Sequence, residues 1–438
     1  MNEPSAPATY RPDDEVVDIC RDLIRIDTSN FGDDTGPGER KAAEHVATLL
    51  SDVGIEAQLY EAAPGRASLV AHWGTDGGDD GGLLIHGHLD VVPAQAADWQ
   101  VDPFSGELLD DYVWGRGAVD MKDFDAMLLS VVRARARAGA VPRRPVVLCF
   151  TADEEAGSNY GAHWLVDNHR DAFEGCTEAI GEVGGYSISV GDERVYVIET
   201  GEKGICWMRL RVRGTAGHGS MRHDDNAVTR LTEAVARIGR HTWPVHVGGS
   251  MAQLLDVLRT VTGSATTDPD ELLATVGPAQ RMLGAGLRNT TNPTMLSAGY
   301  KVNVVPGEAL AYVDGRILPG FRPEFDRTLA ELIGDRVEIE ILNDDTALET
   351  SFDGDLVDAM CQALLEQDPA ARIAPYLMSG GTDAKAWDRL GVRCFGFTPL
   401  RLPADLDFTA LFHGVDERVP VDALRFGART LDRFLDLA

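Results

Sequence analysis

The spacing of apolar residues changes period repeatedly along the first two hundred positions. From Glu15 to Ile26 apolar side chains recur at helical spacing, and they do so again from Gly38 to Val53, ending at Gly54 as a helix should. Short apolar runs at 57–60 and 68–72 read as strands, followed by Leu83-Leu84-Ile85. Met121 to Ala138 returns to the helical period. Residues 145–151 form an apolar strand that ends in Asp153, Glu154 and Glu155. A helical stretch near 161–168 and a strand at 178–183 follow. Strands alternating with helices predict a mixed, mostly parallel sheet covered by helices on both faces. The acidic, glycine-rich run GTDGGDDGG at 74–82 reads as an exposed loop.

Near residue 200 the alternation gives way to another pattern. Residues 195–199 and 206–212 alternate as strands, 226–240 is helical, 310–317 is a strand, 323–333 a helix and 337–342 a strand. These predict an α+β, ferredoxin-like insert of four strands and two helices over 200–348. It interrupts a main domain built from 1–199 and 349–438. Residues 245–300 carry no clear period and read as loops. After 353 the α/β character returns, with helices at 356–366 and 421–435.

A chain of 438 residues exceeds what one growing core supports, which agrees with two domains. The net charge of −30 argues against nucleic acid and anionic membranes as partners. No apolar run approaches the ~20 residues of a membrane span. The opening MNEPSAPATYRPDDE lacks the basic and apolar regions of a secretory signal, so it reads as a disordered lead-in and the expected location is cytoplasmic. Basic residues are nearly all arginine. The lysines are Lys41, Lys122, Lys203, Lys301 and Lys385. Cys20, Cys149, Cys176, Cys206, Cys361 and Cys394 are scattered without a C-x-x-C pair and read as free thiols of a reducing compartment.

The chemistry concentrates between Leu83 and Asp123. A buried strand that ends in His86, His88 and Asp90 places all three on one side, because strand side chains alternate faces. Asp120 follows the flexible Gly115-Arg116-Gly117 turn, just before a helix. Imidazole nitrogens and carboxylate oxygens at the carboxyl ends of strands suit Zn²⁺, which takes them at roughly 2.0–2.2 Å. His86 is either a second histidine of an H-x-H metal pair or a hydrogen-bonded core residue, and the core position is favoured. Further motifs stand at 151–158 (TADEEAGS), 180–185 (IGEVGG), 214–220 (GTAGHGS), 303–320, 379–387 (SGGTDAKAW) and 410–421 (ALFHGVDERVPV).

Taken in order from the first helix to the last, these motifs resemble the co-catalytic zinc metallopeptidase family of aminoacylase, acetylornithine deacetylase, succinyl-diaminopimelate desuccinylase, glutamate carboxypeptidase and related dipeptidases. The resemblance implies a zinc-peptidase fold and two Zn²⁺ ions, although Co²⁺ or Mn²⁺ also suits such a nitrogen and oxygen site. It implies that His88 and Glu182 hold one metal and Glu155 and His413 the other, with Asp120 as bridge. Glu178, four residues upstream, is the rival to Glu182. Asp90 becomes the carboxylate that orients the His88 imidazole, and Glu154 the general base. Arg316 and Asn303 fall in the segment lining the substrate side, and arginine is a natural fork for a substrate carboxylate. The Ser379-Gly380-Gly381-Thr382 turn offers backbone N–H groups to the same anion. His218, between Gly217 and Gly219, resembles the insert histidine that holds the scissile carbonyl.

The implied activity is hydrolysis of an amide next to a free carboxylate, in a peptide or an N-acyl amino acid. A dedicated N-deacylase of one biosynthetic intermediate, a carbamoyl-amide hydrolase, and a non-catalytic metal-binding protein on the same fold are the alternatives. The insert has open strand edges and an exposed face. Pairing two copies about a two-fold axis covers them, so a homodimer is expected, with His218 serving the partner's site.

Overall fold

A computed structural model describes residues 11–32, 35–74 and 81–438. Most of the expected lead-in and of the 74–82 loop lies outside the described residues. A ten-stranded sheet organises the molecule, and its centre is parallel. Strands Val146–Thr151, Gly82–His88, Cys176–Gly181 and Arg393–Gly396 lie side by side in that order. Antiparallel strands finish both flanks, Ala57–Ala63 and Arg66–Trp73 on one and Glu193–Glu202 with its neighbours on the other.

Every residue of Gly82–His88 is buried, because helices cover both faces of the sheet. Leu83 and Ile85 enter the core beneath helices Val16–Arg25, Lys122–Arg137 and Val421–Leu437. Leu84 enters the opposite core, with Leu165 and Trp387 from helices Ala162–Asn168 and Ala384–Asp388. Full burial of each such aliphatic side chain contributes about 1.5–3 kcal/mol. Together they fix the height at which the strand's polar end emerges.

A second, antiparallel sheet has the order Thr290–Ala298, Glu308–Ile317, Gly204–Arg213, Glu338–Asp345. Helices Ala227–Arg240 and Arg322–Ile333 lie on one of its faces over a separate core that includes Leu210, Leu231 and Phe325. The expected ferredoxin-like layer is present, with two corrections. The strand read at 195–199 belongs to the large sheet, and the fourth strand of the insert is Thr290–Ala298, inside the stretch read as loops. The sequence hid it because it is an edge strand that exposes seven of its nine residues and carries Pro293 at a register shift.

Much of the rest of that stretch is helical. Segments Gly249–Thr262, Pro269–Leu273 and Gln280–Ala285 bury Met251, Leu254, Leu258 and Leu283 in the core of the large sheet, not in that of the insert. The insert is therefore interrupted by helices that belong to the main layer. All six cysteines are free, four of them buried. No helix among the described residues is long and apolar enough to cross a membrane.

Candidate metal centre and cleft

The loops that leave the carboxyl ends of the parallel strands meet at one point, where open α/β sheets bind ligands. His88 ends its strand, Glu154 and Glu155 follow Val146–Thr151, and Glu182 follows Cys176–Gly181. Asp120 precedes helix Lys122–Arg137, and His413 stands on the loop before Arg418–Pro420. The backbone is left-handed at Asp153, Val183 and His413. That conformation is a true outlier for a β-branched residue such as Val183, and such outliers gather where a loop must aim a side chain.

Asp120 stands between the two imidazoles. His88 Nε2 lies 3.1 Å from its Oδ1, and His413 Nε2 lies 3.2 Å from its Oδ2. Around His88 Nε2 are also Glu182 at 3.4 Å and Glu154 at 3.9 Å, while Glu155 is 3.0 Å from His413 Nε2. Candidate ligand atoms of His88, Asp120 and Glu155 fall within 4.8 Å of one another, as do those of His88, Glu154 and Glu182. The structure thus brings together all five residues expected to hold metal and the expected base.

Electrostatics test whether cations fit. Four carboxylates face two imidazoles, and among the described residues no lysine or arginine pairs with any of the four. One oxygen of Glu155 is buried without a partner. Burial raises Glu182 to about 8 and, with Glu182 beside it, pushes Glu154 well above the carboxylate range. Burial would depress His88, but Glu182, Asp120 and Asp90 hold it well above its ordinary value. Hydrogen bonds to Asp120 and Glu155 raise His413 to about 10. Burial opposes the Asp120 charge, yet the two imidazoles keep this carboxyl below its usual range. Without metal, protons supply the missing positive charge. Two divalent cations fit the same donors with the protons displaced.

Asp90 is fully buried behind the cluster. Its backbone oxygen lies 2.9 Å from His88 Nδ1, and its carboxylate accepts the N–H of Glu154 at 3.0 Å and of Glu155 at 3.1 Å. The Asn30 amide donates to Asp90 at 2.9 Å and to Asp153 at 3.0 Å. Two further buried acids escaped the sequence reading. Glu417 accepts the N–H groups of Gly117, Val119 and Asp120 and pairs with Arg116, which fixes the Asp120 loop. Asp383 accepts the hydroxyls of Thr151 and Ser158. Both lie in motifs already singled out, so an acid amid apolar neighbours was the available signal. Asn30 carries no such signal.

His86 is buried with its ring 5.8 Å from that of Trp387, and burial beside His88 lowers it to about 3, so it stays a neutral core histidine outside the cluster. The rival Glu178 is held by Arg144 and Arg393 at the other end of its strand.

A cleft of about 920 Å³ opens over the cluster and is lined from both sheets. The main layer contributes Asp120, Glu154, Glu182, His413, Met282 and the turn Ser379–Thr382. The insert contributes Ile205, Trp207, Arg316 and Asp345. Arg316 reaches the cleft while forking onto Asp314 at 2.8 and 3.2 Å. Thr382 gives its N–H, at 2.9 Å, and its hydroxyl to the buried Glu202, so it anchors the turn while Gly380 and Gly381 line the cleft beside it. Asn303 and His218 lie together but do not line this cleft. His218, itself exposed, pairs with Val304 in a short, half-buried ladder, and the Asn303 carbonyl accepts the Gly219 N–H at 2.9 Å.

Comparison with known proteins follows the same lines. The model of peptidase family M20/M25/M40 matches residues 84–437. An N-fatty-acyl-amino acid synthase/hydrolase of Xenopus tropicalis is 27% identical, over 94% of this chain and 83% of its own. Aminoacylase-1 of Sus scrofa is 25% identical over 92% of this chain and 90% of its own. The crystal structure of a metallo-carboxypeptidase from Sulfolobus solfataricus superposes with a TM-score of 0.74 at 18% identity, covering 97% of this chain and 99% of that one.

Proposed function

Because this chain belongs to peptidase family M20/M25/M40 and is a metal-dependent hydrolase of amide bonds, we propose that its substrates are N-acyl amino acids or short peptides with a free carboxylate next to the bond that is cut. The observation that carries the reading is the Asp120 carboxylate set between His88 and His413, with Glu154 beside the cluster.

His88 and Glu182 would hold one metal and Glu155 and His413 the other, and Asp120, set between the two imidazoles, would serve both. Zn²⁺ is the ion expected, and Co²⁺ or Mn²⁺ suits the same donors. When bound, the pair of ions lowers the pKa of water and polarises the scissile carbonyl. Glu154, the acid of the cluster not used as a ligand, takes the proton of the attacking water and passes it to the departing amine. Asp90 keeps His88, Glu154 and Glu155 in register through the contacts given above. Arg316 and the N–H groups of Gly380 and Gly381 read the substrate carboxylate.

His218 and Asn303 complete the site from a second copy. The chain forms a homodimer through the insert, whose exposed edge strand and open face find a partner there. In the partner's cleft His218 donates to the oxygen that gains charge as the carbonyl is attacked.

A panel of dipeptides and N-acyl amino acids, each paired with its C-terminal amide, tests this on metal-reconstituted protein. Turnover of free acids over amides supports the reading. Turnover of one N-acyl biosynthetic intermediate alone favours the dedicated deacylase. Equal turnover of acids and amides contradicts the carboxylate requirement.

A further inference from the structure

The chain passes between the large sheet and the insert four times. It crosses at Lys203, between residues 241 and 248, between 286 and 289, and at residues 346–347. Buried side chains tie these passages to one another. Lys385 Nζ donates to the Lys203 carbonyl and to the Thr346 carbonyl, both at 2.9 Å, which joins the first passage to the last. Lys203 Nζ donates to the carbonyls of Ala285 at 3.2 Å and Arg288 at 2.8 Å and to the Thr290 hydroxyl at 3.1 Å, which joins the first to the third. Glu349, just after the last passage, accepts the Ser250 N–H at 2.9 Å, just after the second.

Lys385 also touches the cleft. Its ammonium lies 3.3 Å from Glu202, the carboxylate that anchors Thr382, and a Cβ on Gly381 would meet Lys385 Cε at 2.6 Å. Glu202, Lys203 and Lys385 are 0%, 0% and 5% exposed. Burying ammonium groups is costly. In a chain whose cations are otherwise nearly all arginine, lysine at these two points is not a compositional default. A compact ammonium gathers its three donors at one point, so carbonyls from different segments can converge on it, whereas the planar guanidinium spreads its donors over a wider fork.

We propose that Lys385, with Glu202 and Lys203, is a positioning element: it sets the angle of the insert over the metal cluster and couples that angle to the Ser379–Thr382 turn. The coupling rests on the carboxylate reading of the cleft. Arg316 rides on the insert and the turn on the main layer, so both meet one substrate carboxylate only at one setting of the crossing. An anion on the turn presses the setting toward closure through Thr382, Glu202 and Lys385. None of the three touches the reacting atoms.

The test uses full-length, metal-loaded Lys385→Met, with N-acetyl-L-methionine and its amide as probes and hydrogen exchange as a second readout. The variant is expected to keep two metals and to raise KM for the acid at least tenfold, while kcat/KM for the amide changes less than twofold. Exchange at 203–205 and 346–348 should quicken together, at segments that are far apart in sequence. If Lys385→Met does not fold, Lys385→Arg, which keeps the charge and moves the donors, is read in the same way. A folded two-metal variant with wild-type KM and wild-type exchange at both passages overturns the proposal. If the wild-type enzyme does not distinguish acid from amide, the carboxylate reading has failed before any variant is made. The coupling then falls with it, and the exchange data judge the clamp alone.

Discussion

Asp90 holds Glu154 by its backbone, accepting that N–H at 3.0 Å, while its own carbonyl orients His88 from two residues away. One buried residue thus supports the proposed ligand His88 through its carbonyl and the proposed base Glu154 through its carboxylate. Asp90→Ala keeps that carbonyl but removes the acceptor of the Glu154 and Glu155 N–H groups and the carboxylate 3.5 Å from His88 Nδ1, and should lower metal affinity or activity by about 10–100-fold, the usual cost of losing a supporting partner. Asn30→Ala should have a smaller effect in the same direction, since Asn30 holds only Asp90 and Asp153. Isothermal titration with Zn²⁺ and steady-state rates check both. Wild-type metal affinity and rate in Asp90→Ala would remove the assignment.

Metal binding should release protons. In the metal-free protein His413 stays protonated up to about 10 and Glu182 up to about 8, both above their ordinary values. Groups raised in the folded state contribute stability that is complete below the unfolded pKa and is lost as pH rises through the folded one. The metal-free protein should thus lose melting temperature between pH 7 and 10, while metal affinity rises over the same range. Titration in buffers of different ionisation enthalpy counts the protons. Release of none would mean that the donors were already bare.

Arg316 already holds Asp314, so a substrate carboxylate must compete with that fork or share it. Arg316→Ala, or amidating the substrate, should each cost on the order of 2–5 kcal/mol in kcat/KM if the pair is buried. Combining them should cost little more than either change alone. Additive losses would show that the two groups do not meet.

In the proposed dimer His218 would donate from an exposed position. Its Nδ1 accepts the Ser220 N–H at 3.2 Å and lies 2.8 Å from the Ser220 hydroxyl, so Nε2 is the ring nitrogen left to donate. Loss of such a donor typically costs ~10²–10³ in rate. His218→Ala and Glu154→Ala homodimers should both be nearly inactive, while a mixed dimer should recover activity towards one site. Confirmed heterodimers without activity would place His218 in its own subunit's site or outside the chemistry.

Much of this was legible because period and position coincide. The helix Lys122–Arg137 and the strand Gly82–His88 have clear periods, and their polar ends carried the site. The strand Thr290–Ala298 was not legible, since an exposed edge with a proline shows no alternation. The helices at 249–285 were missed because they are short or lie near glycines and prolines, and they pack on a sheet distant in sequence. The supporting residues failed for a related reason. Glu202 meets Thr382 across 180 positions and Glu417 meets Arg116 across 301, and no local spacing reports such contacts. The Asn303 and His218 assignments came from resemblance, and in one chain these residues lie outside the cleft that Arg316 lines.

The most direct test is metal content measured alongside amide turnover in Glu154→Ala and Asp120→Ala. If Asp120 bridges two ions and Glu154 moves the proton, Glu154→Ala should retain two metals per chain and lose about 10²–10⁴-fold in kcat. Asp120→Ala should lose its metals outright, and chelated wild type should regain activity with Zn²⁺ or Co²⁺. A Glu154→Ala protein that sheds metal, or one that turns over at close to the wild-type rate, would contradict the assignment of ligands and base.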